Sequence, residues 1–358
     1  MVRNRHVKRV KVGLSGISVI KIREYLCKRC HRTFTVKRTP RGRFDWDVIR
    51  EAVELYYDTR GSYRRVMKAL YRRMGVRPNH VQIYRWVDRV GMRCKDPIQM
   101  ARELHPAWGE CMGVDSKVIK ISGGEFYLIL AVDLGSQDVI NYSLERHEDF
   151  DAYSALLREI KLQIGYTPKI IVTDLDPAWF AAIHHVYPGI PIQGCVIHVE
   201  RIVDRAMPKR NRTIGQEELK LLIRRFLYAS SLVEAYQNLN EIMTRQDEWE
   251  DDASREAITT ILTHHRILTT HFQVPGSYRD NNITESIIDK LEMKLKMIRG
   301  FKKIESARNS LRLAITHYRF SPFLSSRSGK NGKSPLRLAG VDTSQIDWIT
   351  YSQKHITR

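Results

Sequence analysis

The sequence predicts an α/β protein: a mixed five-stranded sheet with flanking helices, interrupted by an all-helical insertion and preceded by small basic modules. Three observations support this. Between residues 109 and 174 the apolar pattern reads as strands, first in a hairpin series and then as one short buried strand between helices. Residues 198–280 carry only helical spacing, and a further helix opens near Thr284. The charge is uneven: residues 1–96 hold 26 Lys and Arg against eight Asp and Glu, a net +18, in a chain of net charge +20. A field concentrated in one third of a chain suits phosphate binding better than general solubility.

The elements follow in order. Residues 1–40 read as short strands with Arg and Lys at alternate positions, joined by Cys27-Lys28-Arg29-Cys30. A Cys-x-x-Cys between strands is the knuckle of a zinc ribbon, and Cys27 and Cys30 are candidate zinc ligands. No earlier Cys-x-x-Cys supplies the other half of a tetrahedral site, so a degenerate, metal-free knuckle stands beside the zinc reading.

Residues 41–96 read as three helices. Asp45 caps the first, with Val48, Ile49, Val53, Leu55 and Tyr56 on its apolar face; Gly61-Ser62 opens the second; the third runs from His80 and is stopped by Gly91. The Gly-containing turn before His80 gives a helix-turn-helix, whose last helix offers Gln82, Tyr84, Arg85 and Arg89 to a DNA major groove. A small structural bundle would have the same period.

From residue 109 come a strand through Gly113-Val114-Asp115-Ser116, a Gly123-Gly124 turn, and strands 126–133 and 138–144. A helix over 151–164, a buried strand ending at Asp174 and a helix over 177–186 complete the series, which is the order of the ribonuclease H-like fold. Residues 109–197 and 281–320 would form that body, 198–280 the insertion and 321–358 a C-terminal tail.

Three carboxylates are candidates for chemistry. Asp115 lies mid-strand among apolar neighbours, an expensive place for a lone charge. Asp174 ends an apolar strand. Glu285 lies in Asn281-Asn282-Ile283-Thr284-Glu285-Ser286, at the start of a basic helix. Phosphoryl transfer in DNA uses two divalent ions about 3.5–4 Å apart, and hard cations take carboxylate oxygens from converging elements. Plainer roles exist for each: an ion pair of Asp115 with Lys117 or Lys120, a turn at Asp174, a helix-dipole charge at Glu285. Asp133 and Asp176 also end strands or begin turns.

Together these residues resemble prokaryotic insertion-sequence transposases of the DDE type, close to the Mutator-like group, in the ribonuclease H-like and retroviral integrase-like superfamily. The resemblance runs through Val114-Asp115-Ser116, Val172-Thr173-Asp174, Cys195-Val196-Ile197-His198, Asn282-Ile283-Thr284-Glu285 and Met297-Ile298-Arg299-Gly300-Phe301 to the Asn331–Gly340 tail. It implies a catalytic triad of Asp115, Asp174 and Glu285, two Mg²⁺ or Mn²⁺ ions, cleavage at element ends and strand transfer into double-stranded target DNA. It also implies a dimer or larger assembly. The 59 residues from Asp115 to Asp174 suit the fold; the 111 from Asp174 to Glu285 hold the helical insertion.

Cys195 and His198 are read as a structural or DNA-positioning motif, with metal binding as the alternative. Lys290, Lys294, Lys296 and Arg299 are expected to hold DNA beside the site, or else to form a solvated face with Asp289 and Glu292. Arg319-Phe320 departs from the resemblance, which leads one to expect Asn-Phe there. No run is apolar enough to span a membrane and the five cysteines fit no disulfide framework, so a cytoplasmic, nucleoid-associated protein is expected. The alternatives are a catalytically inactive DNA-binding regulator and a structure-selective nuclease on the same fold.

Overall fold

Alternating side chains at the N-terminus build a long hairpin in the computed structural model, which describes residues 2–35, 43–59, 61–121, 123–208, 210, 212–296, 301, 303–326 and 329–353. Strands β1 (Val2–Gly13) and β2 (Gly16–Leu26) pair antiparallel, and β3 (Thr33–Thr35) adds to β2. The Cys27–Cys30 knuckle joins β2 to β3, with the His31 amide donating to the Cys27 carbonyl.

Four helices follow: α1 (Trp46–Asp58), α2 (Tyr63–Met74), α3 (His80–Arg93) and α4 (Pro97–Leu104). Asp45 precedes α1 but makes no side-chain cap; it pairs with Lys11 of β1 at 3.5 Å. Ser62 caps α2, and Gly75 ends it with φ of 66°, a left-handed turn where a Cβ would be strained. Asn79 and Gln82 form a reciprocal capping box at the start of α3.

Gly91 does not stop α3, which continues to Arg93. A Cβ on Gly91 would lie 2.3 Å from the Asn309 carbonyl oxygen of α12 (Ile304–Phe320), so the glycine lets two helices cross in contact. Accordingly α1–α3 share one core with α12 and with α11 (Asn282–Lys296): Val48, Leu70, Ile83, Val87, Ile287, Leu291 and Leu311 belong to the same buried cluster.

The second sheet has the order β6-β5-β4-β7-β8, from β4 (Cys111–Ile121), β5 (Gly124–Asp133), β6 (Asp138–Glu145), β7 (Ile170–Thr173) and β8 (Ile192–Gly194). β4, β5 and β6 are antiparallel neighbours, whereas β7 runs parallel to β4 and β8 parallel to β7. Helices α5 (Phe150–Ile164) and α6 (Pro177–Val186) cover the face that presents Met112, Val114, Ile129 and Ile171. The period of two sends Ile119 and Ile121 to the opposite face, under α11 and α12. Helices α7 (Val196–Ala206), α8 (Ile214–Leu227), α9 (Leu232–Thr244) and α10 (Asp252–Leu268) pack around a core of their own, including Val199, Leu222, Phe226 and Ile261. Two short helices, α13 (Pro335–Leu338) and α14 (Trp348–Ser352), end the described chain, and none of its helices is long and apolar enough to cross a membrane.

Candidate active site

Strand register brings the two aspartates together. Gly113 pairs with Val172 across the parallel β4–β7 ladder, so two residues further along each chain Asp115 and Asp174 stand side by side. Asp115 projects from the face that also carries Gly113 and Lys117, the side on which α11 lies. It is buried, and its Oδ1 accepts the Ser116 amide at 2.8 Å. Its carboxyl is pushed up to about 8, first by burial and then by the charge of Asp174, with Glu285 adding to the push and the Ser116 amide opposing it. Asp174 is raised too, chiefly by burial, against the pull of the Asp176 amide, which donates at 3.3 Å, and of the His198 ring. Among the described residues neither aspartate has an ion-pair partner. Lys117 instead bridges Asp289 at 2.5 Å and Glu292 at 3.2 Å.

Glu285 reaches the same place from the first turn of α11. The helix can lie this close to the sheet because residue 113 is glycine: a Cβ there would sit 2.4 Å from Thr284 Oγ1 and 2.5 Å from Asn281 Oδ1. Arg201 of α7 grips Glu285 with both arms, Nη1 to Oε1 at 2.7 Å and Nη2 to Oε2 at 2.9 Å, and His198 Nδ1 lies 3.6 Å from Oε1. Asp115, Ser116, Lys117, His198, Arg201 and Glu285 line one cleft of about 260 Å³.

Cys195 precedes α7 at the end of β8. Its sulfur accepts the Asn281 amide at 3.3 Å, and burial pushes its thiol up to about 11. A sulfur atom of Cys195, a ring nitrogen of His198 and an oxygen of Glu285 lie within 4.8 Å of one another, the one such three-ligand group among the described residues. The hydrogen bond from the Asn281 amide to this sulfur joins the start of α7 to the segment that opens α11.

The remaining carboxylates have local duties. Asp176 caps α6 through the Ala178 amide at 2.9 Å and accepts the Tyr153 hydroxyl at 3.2 Å. Asp133 accepts the Gly109 and Ser136 amides at 3.0 and 2.8 Å. Of the basic and polar residues expected on DNA, Arg85 and Arg89 are exposed on α3 and line a groove with Arg43 and Gln82. Gln82 also caps its own helix, and Tyr84 is half-buried, its hydroxyl 3.4 Å from Ser306 Oγ. Lys290 lies over the Tyr318 and Phe323 rings, and Lys294 donates to the Tyr57 carbonyl at the end of α1. Lys296 is exposed and pairs with Glu292 at 2.8 Å; Arg299 lies outside the described residues.

Arg201 was not singled out by sequence. Its signal is the step of three: Cys195, His198 and Arg201 recur at the spacing that aligns one helical face.

The sheet order, the helical unit inserted before α11 and three converging carboxylates define a class of acid-lined α/β protein whose cleft lies beside the parallel strand ends. Residues 40–320 match the family model described as "Transposase, Mutator family". The chain belongs to that family. Among curated relatives it is 31% identical over 152 residues to the transposase for insertion sequence-like element IS431mec of Staphylococcus aureus strain Mu50. The figure is the same for the transposase for insertion sequence element IS257 in transposon Tn4003 of Staphylococcus aureus. Each match takes in 42% of this chain and 64% of the relative's length, under two thirds of it. A solved structure of the HTLV-2 integrase catalytic core domain in complex with magnesium is similar at 22% identity, over 44% of this chain and 86% of that one, with a TM-score of 0.21.

Proposed function

We propose that this chain is a DNA transposase with a ribonuclease H-like body, in which Asp115, Asp174 and Glu285 support metal-dependent cleavage at element ends and strand transfer into target DNA. The observation that carries the reading is their convergence from a strand, a strand end and a helix that are distant in sequence. The fold assignment rests on the order β6-β5-β4-β7-β8, with β4–β7 and β7–β8 as its parallel pairs.

The donor set fits Mg²⁺ or Mn²⁺, since it is made of carboxylate oxygens. Buried Asp115, raised by the charge of half-buried Asp174, is a further fit, because neither has an ion pair among the described residues and a cation would relieve the repulsion. Asp115, Asp174 and Glu285 would hold the ions, which when bound supply positive charge to the phosphate undergoing in-line displacement. Asp115 and Asp174 are fixed by the ladder they stand on, and Glu285 by the contact of α11 with Gly113. The cleft lined by Asp115 and Glu285 is bordered by Lys117, His198 and Arg201, groups suited to the flanking phosphates. The basic N-terminal third, with Arg43, Arg85 and Arg89 along one groove, would hold double-stranded DNA. Two element ends must be brought together, so a dimer or larger assembly is the working form.

The test uses DNA carrying the ends of the element, with Mg²⁺ or Mn²⁺, and compares wild type with Asp115→Asn, Asp174→Asn and Glu285→Gln. Cleaved and joined products are expected from wild type and none from the variants, with DNA binding retained. Binding without products from wild type would sink the catalytic reading, and cutting that survives Glu285→Gln would remove Glu285 from the triad.

A further inference from the structure

We propose that Arg201 gates the metal site: in the DNA-free protein its guanidinium occupies Glu285 in place of a divalent cation, and it is released when DNA phosphate offers it another anion. The inference rests on the carboxylate site proposed above and concerns a residue that the site does not require as a ligand.

The geometry is built, not incidental. The Cys195 amide donates to the Thr173 carbonyl at 2.8 Å, next to Asp174, while the Cys195 sulfur accepts the Asn281 amide at 3.3 Å. The Val196 amide donates to the Arg279 carbonyl at 3.2 Å. The first turn of α7 is therefore stitched both to the strand that ends in Asp174 and to the segment that opens α11. One helical turn further along the same face, Arg201 meets Glu285 as a planar fork on a planar carboxylate, at 2.7 and 2.9 Å.

That fork uses both oxygens of Glu285. A divalent ion on the same carboxylate would face a fixed positive charge within a few ångströms, so the two occupants oppose each other. Arg201 itself is half-exposed, with a side-chain accessibility of 46% against 22% for Glu285, so it can swing into solvent without opening a core. It borders the same cleft as Lys117 and Ser116. A phosphate entering there presents the bidentate acceptor that a guanidinium prefers, and its arrival would free Glu285 for metal. The arrangement would delay metal loading at Glu285 until nucleic acid is in the cleft.

The experiment is Mn²⁺ titration of the full DNA-free chain by calorimetry, with free Mn²⁺ counted by electron paramagnetic resonance. Wild type, Arg201→Ala, Arg201→Lys and Asp115→Asn are compared, each checked by thermal melting. Arg201→Ala should bind Mn²⁺ about fivefold or more tighter than wild type, and Arg201→Lys, which keeps the charge but loses the fork, should fall between them. Adding a short duplex should shrink the gap between wild type and Arg201→Ala. Affinity in Arg201→Ala that is weaker, or equal within about twofold, while Asp115→Asn still abolishes binding, would overturn the gate and leave the carboxylate site standing. Equal, measurable binding by wild type and Asp115→Asn, or no binding by Arg201→Ala, would overturn the carboxylate site and the gate with it.

Discussion

Asn281 donates its side-chain amide to the Val114 carbonyl at 2.7 Å, one residue before Asp115, and so ties the start of α11 to the strand that carries the first candidate ligand. Next to it Thr284 is buried against Gly113, where no side chain could fit. The distance between Asp115 and Glu285 is thus set by a glycine and an amide, not by the carboxylates themselves. Gly113→Ala should destabilise the fold by about 1–3 kcal/mol through overpacking. A helix displaced by about 1 Å would slow cleavage on the order of a hundredfold. Denaturant melts and single-turnover cleavage rates check both; an alanine variant with wild-type rate would show that α11 does not set the site.

Arg319 and Asp138 form an ion pair with no solvent exposure on either side chain, Nε to Oδ1 at 2.8 Å and Nη2 to Oδ2 at 2.9 Å. Trp108 donates to the same carboxylate at 2.9 Å. The position where the family resemblance leads one to expect Asn therefore clamps α12 to the first residue of β6. Removing one member leaves a buried charge, so Arg319→Met should cost about 3–5 kcal/mol. The combined Arg319→Met and Asp138→Leu variant should recover much of that. Chemical denaturation of the two proteins decides, and equal losses in both would mean that the pair itself contributes the stability.

Much of this was legible in sequence because periodicity reports one-sided burial. The strands and helices of the sheet body lie where the apolar pattern puts them, and Asp115 stood out as a charge among apolar neighbours. What sequence did not reveal depends on partners far along the chain. Gly91 reads as a helix stop, yet it is a crossing point whose partner, Asn309, lies on α12. Lys294 reads like any basic residue of a DNA-facing helix, but the Tyr57 carbonyl turns it inward. Charge alone does not tell a lysine that faces phosphate from one that closes a helix end. Arg201 was hidden for the same reason, since its meaning comes from Glu285.

The raised carboxyl of Asp115 gives the metal-free protein a particular pH response. Its folded value, about 8, lies above the ordinary carboxylate value of 3.8. The stability associated with the protonated group is fully present below the unfolded value and is lost as pH rises through the folded one. Metal-free protein should therefore weaken progressively between about pH 4 and about pH 8 and level off above that. Asp115→Asn should flatten that loss and be more stable than wild type at alkaline pH by about 1 kcal/mol or more. Melting in chelator at several pH values reads the effect, and Mg²⁺ should restore wild type but not the variant. Parallel pH curves for the two proteins would rule out Asp115 as the source.

The five cysteines separate by exposure, which gives a direct test of the N-terminal knuckle. Cys30 is exposed, and the Cys27 thiol is lowered by the Cys30 and Arg29 amides, whereas Cys94, Cys111 and Cys195 are buried. Burial pushes both Cys111 and Cys195 up to about 11. The thiolate is the reactive form, so a maleimide or iodoacetamide at neutral pH should modify Cys27 and Cys30 in folded protein and the other three only after denaturation. Structural zinc takes four ligands, and among the described residues no third Cys, His or carboxylate joins Cys27 and Cys30. Equimolar zinc should therefore leave their labelling rate unchanged, as followed by mass spectrometry of the labelled peptides. Strong protection of both thiols by zinc would instead establish a metal-bound knuckle, with its remaining ligands supplied from elsewhere.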